Sequence, residues 1–329
     1  MRVAFAVASL LTVVAAPPGG DIDLDVRAVM TRYLRFSAGD LADVQNGKVV
    51  RHSTDASAPG ELAVAGAVRI RATKTAFLDR VRDIAQFKRG PDILQIGRFS
   101  APPVLQDLDA LTIDKDDFDP RTCRLGDCDI RLPAESIRRF QHEPSAALFK
   151  QVLLDHVIAY EKGNANGRIA EYDDDARPIR PQEEFEGVLR DTPSLGALVP
   201  GLPDHLRHYP SDRVDNSEDF LYWSKERFGI APFITVTHVT IVCPSPRTCV
   251  VTTKDVYSSR YIDASLALSI ATDARSDPEH FYLVYVNRSR ASALKGGLAS
   301  LRRALAGRRA RGSLEDNLKS IKNQLEQAR

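Results

Sequence analysis

Two periods of hydrophobic and polar positions follow one another along the first part of the chain. In DVRAVMTRYLRF, residues 25–36, apolar side chains recur at helical spacing, and after Thr73 the stretch KTAFLDRVRDIAQF repeats this pattern. In ELAVAGAVRIRA, residues 61–72, every second position is strongly apolar, which predicts a strand. Shorter strands are predicted in QNGKVVRH, after the Asn46-Gly47 turn, and in DILQIGRF.

The middle of the chain is predicted to be an acidic loop followed by helices. Residues 101–131 are acidic, contain proline and show neither period, whereas residues 133–229 are mostly helical. The clearest helix is SAALFKQVLLDHVIAYEKG, with Gly163 as its stop signal. Shorter helices with prolines follow, and SEDFLYWSKERFG, residues 217–229, is predicted as a last helix that ends on Gly229.

The period changes again in the last part of the chain. Strand-like runs at 233–243, 249–257, 261–271 and 280–287 are joined by short turns, so we expect antiparallel pairing. From about residue 291, two leucine stripes predict C-terminal helices that Gly307 and Gly312 separate. Ser313 with Asp316 would form the capping box of the second helix.

This order of elements predicts an α+β fold in which both ends of the chain contribute to one curved antiparallel sheet. We expect a single mature domain, residues 21–329, with an acidic loop plus helical insertion at 101–229 and C-terminal helices at 291–329. Over residues 45–100 and 230–305 the element order resembles the START-like, or helix-grip, fold. The resemblance rests on no motif, and it implies an apolar cavity between the sheet and a C-terminal helix.

Composition and charge exclude few functions. The 329-residue chain is 43% hydrophobic and 27% charged, which is typical of a globular protein rather than of a disordered or fibrous one. Lysine and arginine number 45 against 44 aspartates and glutamates, so no overall field attracts nucleic acid. Beyond the N-terminus, no uncharged apolar run is long enough for a membrane span. We therefore expect neither nucleic-acid binding nor a transmembrane segment.

The first residues predict export. One arginine precedes an apolar stretch from Val3 to Ala16, and prolines and glycines follow it. This pattern is typical of a secretory signal peptide, which we place at residues 1–20 with cleavage near Ala15. The mature protein is then expected in the bacterial periplasm or outside the cell. A buried N-terminal helix is the alternative interpretation.

Four cysteines form two close pairs around turn-forming residues. Cys123 and Cys128 enclose RLGD, and Cys243 and Cys249 enclose PSPRT. In an oxidising compartment such pairs become disulfides, so we expect two disulfide bonds. A four-thiolate zinc site is the alternative, although zinc pairs are usually spaced more closely.

Several strings in the chain carry a second resemblance. FLYWSKERFG with ITVTHVTIVC, VYSSRYIDASLALSIA, and YLVYVNRSR with LKGGLASLRRAL are similar to an exported bacterial family of hypothetical proteins. The similarity extends over most of the mature chain. It implies family membership and no particular chemistry.

Five residues are candidates for lining the predicted cavity. His238 alternates with apolar neighbours in its strand, so it is expected to point towards a core or a cavity. Tyr261 and Asp263 share one face of a later strand, and Tyr222 and Trp223 lie on the last predicted helix. Packing in a solid core is the alternative for all five. If His238 and Asp263 met, they would form an acid–base pair.

Two further motifs contain side chains that bind metals. In DHLRH, His205 and His208 would share a helix face, but a solvated turn is the preferred interpretation. An acidic stretch at 114–129 offers the oxygen ligands that calcium takes, without the glycine and glutamate of an EF-hand loop. Its acidic residues are Asp114, Asp116, Asp117, Asp119, Asp127 and Asp129. The sequence leaves calcium binding there open, and we predict no metal site and no cofactor.

Basic residues cluster around the glycines of the C-terminal helices. A solvated helix face is the first interpretation, and a peripheral contact with anionic lipid headgroups is the second. These residues are Arg302, Arg303, Arg308, Arg309 and Arg311.

The absence of familiar motifs lowers the odds of common enzyme chemistry. The sequence has no serine-hydrolase elbow, zinc-protease motif, phosphate-binding loop or dinucleotide fingerprint. The patterns therefore favour an exported, non-catalytic protein that binds a small apolar or amphipathic molecule, such as a lipid, in an apolar cavity. One alternative is an envelope interaction or assembly protein that docks through its helical insertion or its basic C-terminal helix. The other is a hydrolase that uses a His/Asp pair.

Overall fold

The computed structural model describes residues 20–54, 56–163, 169, 171–173, 178–227, 231–295 and 299–327, and for 299–304 it describes the backbone only. Groups of helices and groups of strands alternate along the chain within these ranges. The helices are α1 (Leu24–Arg32), α2 (Ala38–Gln45), α3 (Lys74–Arg82), α4 (Ile84–Phe87), α5 (Ala134–His142), α6 (Ala146–Glu161), α7 (Pro181–Arg190), α8 (Pro193–Leu198), α9 (Leu202–His208) and α10 (Ala299–Gln327). The strands are β1 (Val50–Ser53), β2 (Glu61–Ile70), β3 (Ile93–Arg98), β4 (Glu218–Glu226), β5 (Phe233–Val242), β6 (Thr248–Ser258), β7 (Ala264–Asp273) and β8 (Phe281–Arg290).

These strands form one curved antiparallel sheet in the order β1-β2-β8-β7-β6-β5-β4-β3. The early strands take both edges, with β1 and β2 on one side and β3 on the other, and the late strands fill the space between them. The predicted α+β class, and a sheet built from both ends of the chain, are therefore confirmed.

Side chains of each strand alternate between two covered faces of this sheet. We call one the C-helix face: it carries Tyr222 and Leu283, and α10 packs on it through Leu314. The other is the insertion face: it carries Trp223 and Val236 and is covered by the helical insertion together with α1 and α2. Helices thus lie on both sides of the sheet, and a functional side chain belongs to one side or the other.

Helix α10 is one continuous helix of 29 residues, so the predicted break into two C-terminal helices is wrong. Gly307 and Gly312 lie inside it, and each costs about 1 kcal/mol relative to alanine. Burial of Leu314 and Leu318 against the sheet offsets this cost, since a buried leucine contributes about 1.5–3 kcal/mol. Gly66 of β2 permits the close approach, because a Cβ there would lie 2.8 Å from Leu318 Cδ1.

The segment SEDFLYWSKERFG contains strand β4 and is not the predicted helix. Leu221 and Trp223 point to the insertion face, and Phe220 and Tyr222 point to the C-helix face. Since both faces are covered, both sets of side chains are apolar or aromatic, and the period of two disappears from the sequence. The helical insertion therefore ends with α9 and not at residue 229.

Both predicted disulfide bonds are formed, between Cys123 and Cys128 and between Cys243 and Cys249. In the described ranges, none of the helices has the length and apolar character needed to cross a membrane. The predicted signal peptide, apart from Gly20, lies outside the described residues.

Candidate functional site

Four polar residues that are distant in sequence meet inside the protein on the insertion face. His205 belongs to α9, Asp219 to β4, and His238 and Thr240 to β5. The strand register explains part of the meeting, because Asp219 lies directly opposite Thr240, and His238 is two residues away on the same face. We call His205, Asp219, His238 and Thr240 the histidine cluster.

The side chains of the histidine cluster converge on one carboxylate oxygen. Asp219 Oδ1 lies 2.9 Å from His205 Nε2, 3.0 Å from His238 Nε2 and 2.8 Å from Thr240 Oγ1. Both imidazoles are fully buried, and the Asp219 side chain is 2% exposed. Among the described residues, this is the only set of three or more His, Cys, Asp or Glu side chains whose ligand atoms gather within 4.8 Å of one another.

The second ring nitrogen of each histidine also has a partner. His205 Nδ1 lies 3.2 Å from the backbone carbonyl oxygen of Asp212, and His238 Nδ1 lies 3.0 Å from the Tyr160 hydroxyl. The Tyr209 ring packs 4.3 Å from the His238 ring, centroid to centroid. These contacts hold both imidazoles in one orientation.

Asp219 carries the negative charge of the histidine cluster. Its second oxygen, Oδ2, accepts hydrogen bonds from Ser217 at 3.1 Å and from Arg213 at 3.3 Å. Burial alone would raise the pKa of Asp219, but hydrogen bonds from His205 and His238 outweigh it and keep that pKa well below its usual range. Burial lowers the pKa of His238, and the nearby carboxylate offsets this only in part. The carboxylate is therefore ionised at neutral pH.

The DHLRH motif is only partly the solvated turn that we predicted. His208 has a side chain that is 42% exposed and pairs with Asp212, as expected for a surface residue. His205 is fully buried, so the prediction is wrong for this residue. The reason is tertiary: α9 packs on the insertion face through Leu202, His205 and Leu206, whereas His208 is the last residue of the helix and lies outside that contact.

The C-helix face has a polar region of its own at the centre of the sheet. Six half-buried polar side chains lie side by side on three neighbouring strands, between α10 on one side and α3 with α4 on the other. They are Thr253 and Asp255 of β6, Ser269 of β7, and Tyr285, Asn287 and Ser289 of β8. We call these six residues the polar patch. Central strand positions under a helical layer are normally apolar, so this is an unusual composition.

Charged groups lie at the border of the polar patch. Lys88 Nζ is 3.1 Å from the Tyr222 hydroxyl and 3.0 Å from Glu226 Oε1, and Thr237 donates a 3.0 Å hydrogen bond to Asp255 Oδ1. Burial raises the pKa of Asp255 to about 7, with Lys88 opposing the rise and Glu226 adding to it. Asp255 therefore changes its charge near neutral pH, which is typical of residues at functional sites.

This pKa predicts a pH effect on stability. Between pH values of about 4 and 7 the folded protein keeps a proton on Asp255 that the unfolded chain releases, so this group makes folding less favourable as the pH rises. Asp255→Asn should remove that loss and raise the free energy of unfolding at pH 8 by about 1–3 kcal/mol relative to the native protein. Urea unfolding at pH 5 and pH 8 measures the difference.

The control for this experiment is Asp109→Asn, which neutralises an exposed carboxylate. We expect it to change stability equally at both pH values. The charged and titratable groups that interact with Asp255 include Lys88, Tyr172, Tyr222, Glu226 and Tyr285. An Asp255→Asn variant with the same pH dependence as the native protein would contradict the prediction.

Tyr222 and Trp223 do not line a common cavity. As neighbours in β4 they point to opposite faces of the sheet. Trp223 is fully buried, and its indole nitrogen donates a 2.8 Å hydrogen bond to the carbonyl oxygen of Asp107. Tyr222 is 2% exposed and borders the polar patch.

The predicted pair of His238 and Asp263 is not formed. The partner of His238 is Asp219, whereas the carboxylate of Asp263 lies 3.0 Å from Arg131 and 2.6 Å from the Ser292 hydroxyl. Asp263 precedes β7 instead of lying in a strand beside His238. A hydrolase based on this pair is therefore inconsistent with the geometry.

Tyr261 also lies in the turn before β7, so its predicted place in the strand is wrong. Its φ is 63°, a left-handed conformation that is uncommon for a residue other than glycine. Its hydroxyl oxygen lies 2.9 Å from the amide nitrogen and 3.1 Å from the carbonyl oxygen of Ala231. The side chain thus joins two loops.

None of the five predicted cavity residues lines either of the two best-defined hollows in the described ranges. One is a cleft of about 50 Å³ on the insertion face, beside Tyr160 and Lys254, with room for a few water molecules. The other is an open depression of about 470 Å³ beside Asp212 and Arg213.

A lysine lies among the carboxylates of the acidic stretch. Lys225 Nζ is 2.7 Å from Asp117 and 2.9 Å from Asp114, so its ammonium group already neutralises the part of the stretch nearest the sheet. Calcium binding by the other aspartates, which the sequence left open, is not tested by these contacts.

The arginines of the basic cluster of α10 differ in solvent exposure. Arg308 and Arg309 are exposed, whereas Arg311 is half-buried and donates a hydrogen bond to Ser53. The side chains of Arg302 and Arg303 lie outside the described part of the structure. A contact with anionic lipids stays a prediction.

Comparison with known proteins does not add a family. No family model matches the chain, and no curated protein matches it. Function must therefore be argued from the histidine cluster and the polar patch.

The sequence patterns did not indicate Asp219, Thr240 or the polar patch. Asp219 fell in a segment that we predicted as a helix, and no alternation marked it as inward-facing, because both faces of β4 carry apolar side chains. Thr240 lies two residues after His238, so the alternation that placed His238 on an inward face was available there. The patch had only a partial signal, since Tyr285, Asn287 and Ser289 occupy every second position of β8 while β6 carries polar residues on both faces.

Proposed function

We propose that the protein binds a small amphipathic molecule at the polar patch. The observation that carries the proposal is the row of six half-buried polar side chains at the centre of the C-helix face. Asp255 pairs with Thr237, and Tyr285 pairs with Asn287. A polar ligand would supply further hydrogen-bond partners at these central strand positions, which are normally apolar. The START-like resemblance implies a cavity between the sheet and a C-terminal helix, so it supports a binding site on the same face of the sheet.

The chemistry of the polar patch limits the ligand. Thr253, Ser269 and Tyr285 offer hydroxyl groups, and Asn287 offers an amide, so the patch can both donate and accept hydrogen bonds. Asp255 is close to half-ionised at pH 7. These groups suit the polar end of a neutral or singly charged molecule. Apolar contact with the neighbouring C-terminal helix would hold the remainder, which makes an amphipathic molecule the best match.

Export is part of the proposal. Two disulfide bonds support it, because disulfides persist in oxidising compartments and are rare in the cytosol. We propose that the protein acts in the periplasm or outside the cell as a non-catalytic binding protein.

The proposal is tested by ligand recovery and by probe binding. Organic extracts of the purified native protein are examined by mass spectrometry, and the amphipathic dye 1-anilinonaphthalene-8-sulfonate is titrated by fluorescence. Thr253→Val removes a hydroxyl from the patch with little change in volume, and Asn287→Leu removes the amide. We expect each variant to weaken dye binding at least about fivefold, the loss of one well-made hydrogen bond.

The matched control is Thr252→Val, the same substitution at the neighbouring position of β6. Thr252 is fully buried on the insertion face, and its hydroxyl oxygen has no hydrogen-bond partner. This variant should bind the dye like the native protein. Native protein that carries no small molecule and does not bind the dye would refute the proposal, and so would equal losses at positions 252 and 253.

A further inference from the structure

We infer that the histidine cluster binds a divalent transition-metal ion, with Zn²⁺ as the best match, through His205 Nε2, His238 Nε2 and Asp219 Oδ1. The cluster lies on the insertion face, and the polar patch lies on the opposite face of the sheet. The inference is therefore independent of the proposed function.

The first argument is the spacing of the donor atoms. Tetrahedral zinc has bonds of about 2.0–2.1 Å, which separates its ligand atoms from one another by about 3.3 Å. Five of the six separations among the four donor atoms, including Thr240 Oγ1, range from 2.8 to 3.5 Å, and the two Nε2 atoms lie within 4.8 Å of each other. These separations are close to those among the ligand atoms of one zinc ion.

The second argument is a count of protons on His205. Its Nδ1 faces the carbonyl oxygen of Asp212, which can only accept, so Nδ1 carries the hydrogen. With this tautomer the neutral ring presents the lone pair of Nε2, the form of histidine that binds metals, to Asp219 Oδ1 at 2.9 Å. A proton on Nε2, hydrogen-bonded to Asp219, is the competing explanation, and zinc uptake distinguishes the two.

The crowding at Asp219 favours the metal over the proton. With protons alone, Oδ1 would accept three hydrogen bonds at 3.0 Å or less, from His205, His238 and Thr240. That exceeds its two lone pairs. With a metal, both Nε2 atoms and Oδ1 become ligands of the same ion. Their short separations then follow from metal coordination, and the two histidines need not donate hydrogen bonds to Oδ1.

The third argument is the outer contacts of the ligands. A metal-bound histidine usually donates its other N–H group to a carbonyl or carboxylate oxygen, which fixes the tautomer and the ring orientation. His205 has this partner in the backbone of Asp212, and His238 has the Tyr160 hydroxyl. The free oxygen of Asp219 accepts from Ser217. Each proposed ligand therefore has the support that metal ligands have in known sites.

The burial of the cluster indicates what the metal does. The two imidazoles are fully buried, the carboxylate is nearly so, and Thr240 Oγ1 lies beside the three ligand atoms where a fourth ligand would be, so a substrate has no direct access. Closed sites with protein ligands are structural, so the ion would connect α9 to strands β4 and β5. Two imidazole ligands select zinc and related transition metals over calcium.

The test uses the native mature protein, freed of metal with a chelator and then dialysed against Zn²⁺. We expect about one zinc per chain by mass spectrometry and an increase in Tm of about 5 °C at a zinc concentration 100 times its Kd. Calcium at the same concentration should not displace the bound zinc. Cobalt should give the visible absorption bands of a four-coordinate nitrogen and oxygen site, a readout that requires no variant.

His205→Gln provides the ligand variant, and His208→Gln provides the matched control on the same helix. His208 is 42% exposed and has no contact with Asp219, so its replacement should leave zinc binding intact. His205→Gln should lower zinc affinity at least 100-fold. The inference is overturned if the native protein binds no zinc, if both variants lose it equally, or if nitrogen-15 NMR finds both ring nitrogens of His205 protonated with zinc present.

Discussion

Glu61→Gln is expected to lower the free energy of unfolding by about 3–5 kcal/mol at pH 7. The Glu61 side chain is fully buried at the start of β2, where it pairs with Arg288 and, at 3.0 Å, with Arg290 of the adjacent strand β8. Glutamine keeps the shape of the side chain and removes its charge. Two guanidinium groups would then remain buried with too little negative charge around them. Removing one partner of a buried ion pair in this way destabilises a protein strongly, because it leaves a buried charge uncompensated.

The same pair also attaches the helical insertion to the sheet. Arg290 reaches Glu184 of α7 at 3.2 Å and Asp191 just after it at 2.9 Å. We therefore expect the loss at Glu61 to be accompanied by faster hydrogen exchange in α7. Urea unfolding followed by circular dichroism measures the stability, and amide exchange measures the local effect.

The control for Glu61 is Glu218→Gln. Glu218 pairs with Arg82 at 2.9 Å, but both side chains are about 40% exposed, and surface pairs are worth only about 0–1 kcal/mol. A loss at Glu61 no larger than the loss at Glu218 would show that the buried pair is not a main support of the fold.

Trp223→Ala is the second large expected effect, a loss of about 3–5 kcal/mol. The side chain is fully buried in the core of the insertion face and donates a hydrogen bond to Asp107, so its removal leaves both a cavity and an unpaired carbonyl group. Gly97 of β3 lies against the ring, where a Cβ would come within 2.6 Å of it. Gly97→Ala should therefore cost about 1–3 kcal/mol by overpacking.

The two positions should be coupled. The smaller ring of Trp223→Phe leaves room for a methyl group at Gly97, so Gly97→Ala should cost at least about 1 kcal/mol less in that background. Unfolding midpoints of the two single variants and the double variant in urea provide the cycle. Additive effects would mean that the ring does not oppose the new methyl group. A stable Trp223→Ala variant with altered ligand binding would instead support the prediction that Trp223 lines a cavity.

The strands outside β4 show where sequence patterns succeed. The four late strands, β2 and the edge strands β1 and β3 lie where alternation or turn residues predicted them, and Gly163 ends α6 with a φ of 65°. Both cysteine pairs follow from local spacing in the same way. These features depend on residues close together in the chain, and a local pattern is sufficient to reveal them.

The elements that the sequence predicted wrongly depend instead on residues that are distant in the chain. Strand β4 lost its alternation because helices cover both faces of the sheet, and α10 runs through two glycines because its leucines pack on β2. In each case tertiary burial outweighs a local preference of about 1 kcal/mol. Neither outcome can be read from the segment alone.

The sequence by itself determined the α+β class, the two disulfides and the assembly of one sheet from both ends of the chain. Only the tertiary structure decided which polar residues meet. The ligand atoms of His205, Asp219 and His238 gather within 4.8 Å because α9 packs across β4 and β5, and the polar patch exists because three strands align their polar residues on one face. The physical reason is that periodicity specifies the direction of a side chain relative to its own element, whereas its distance from another element depends on packing and strand register.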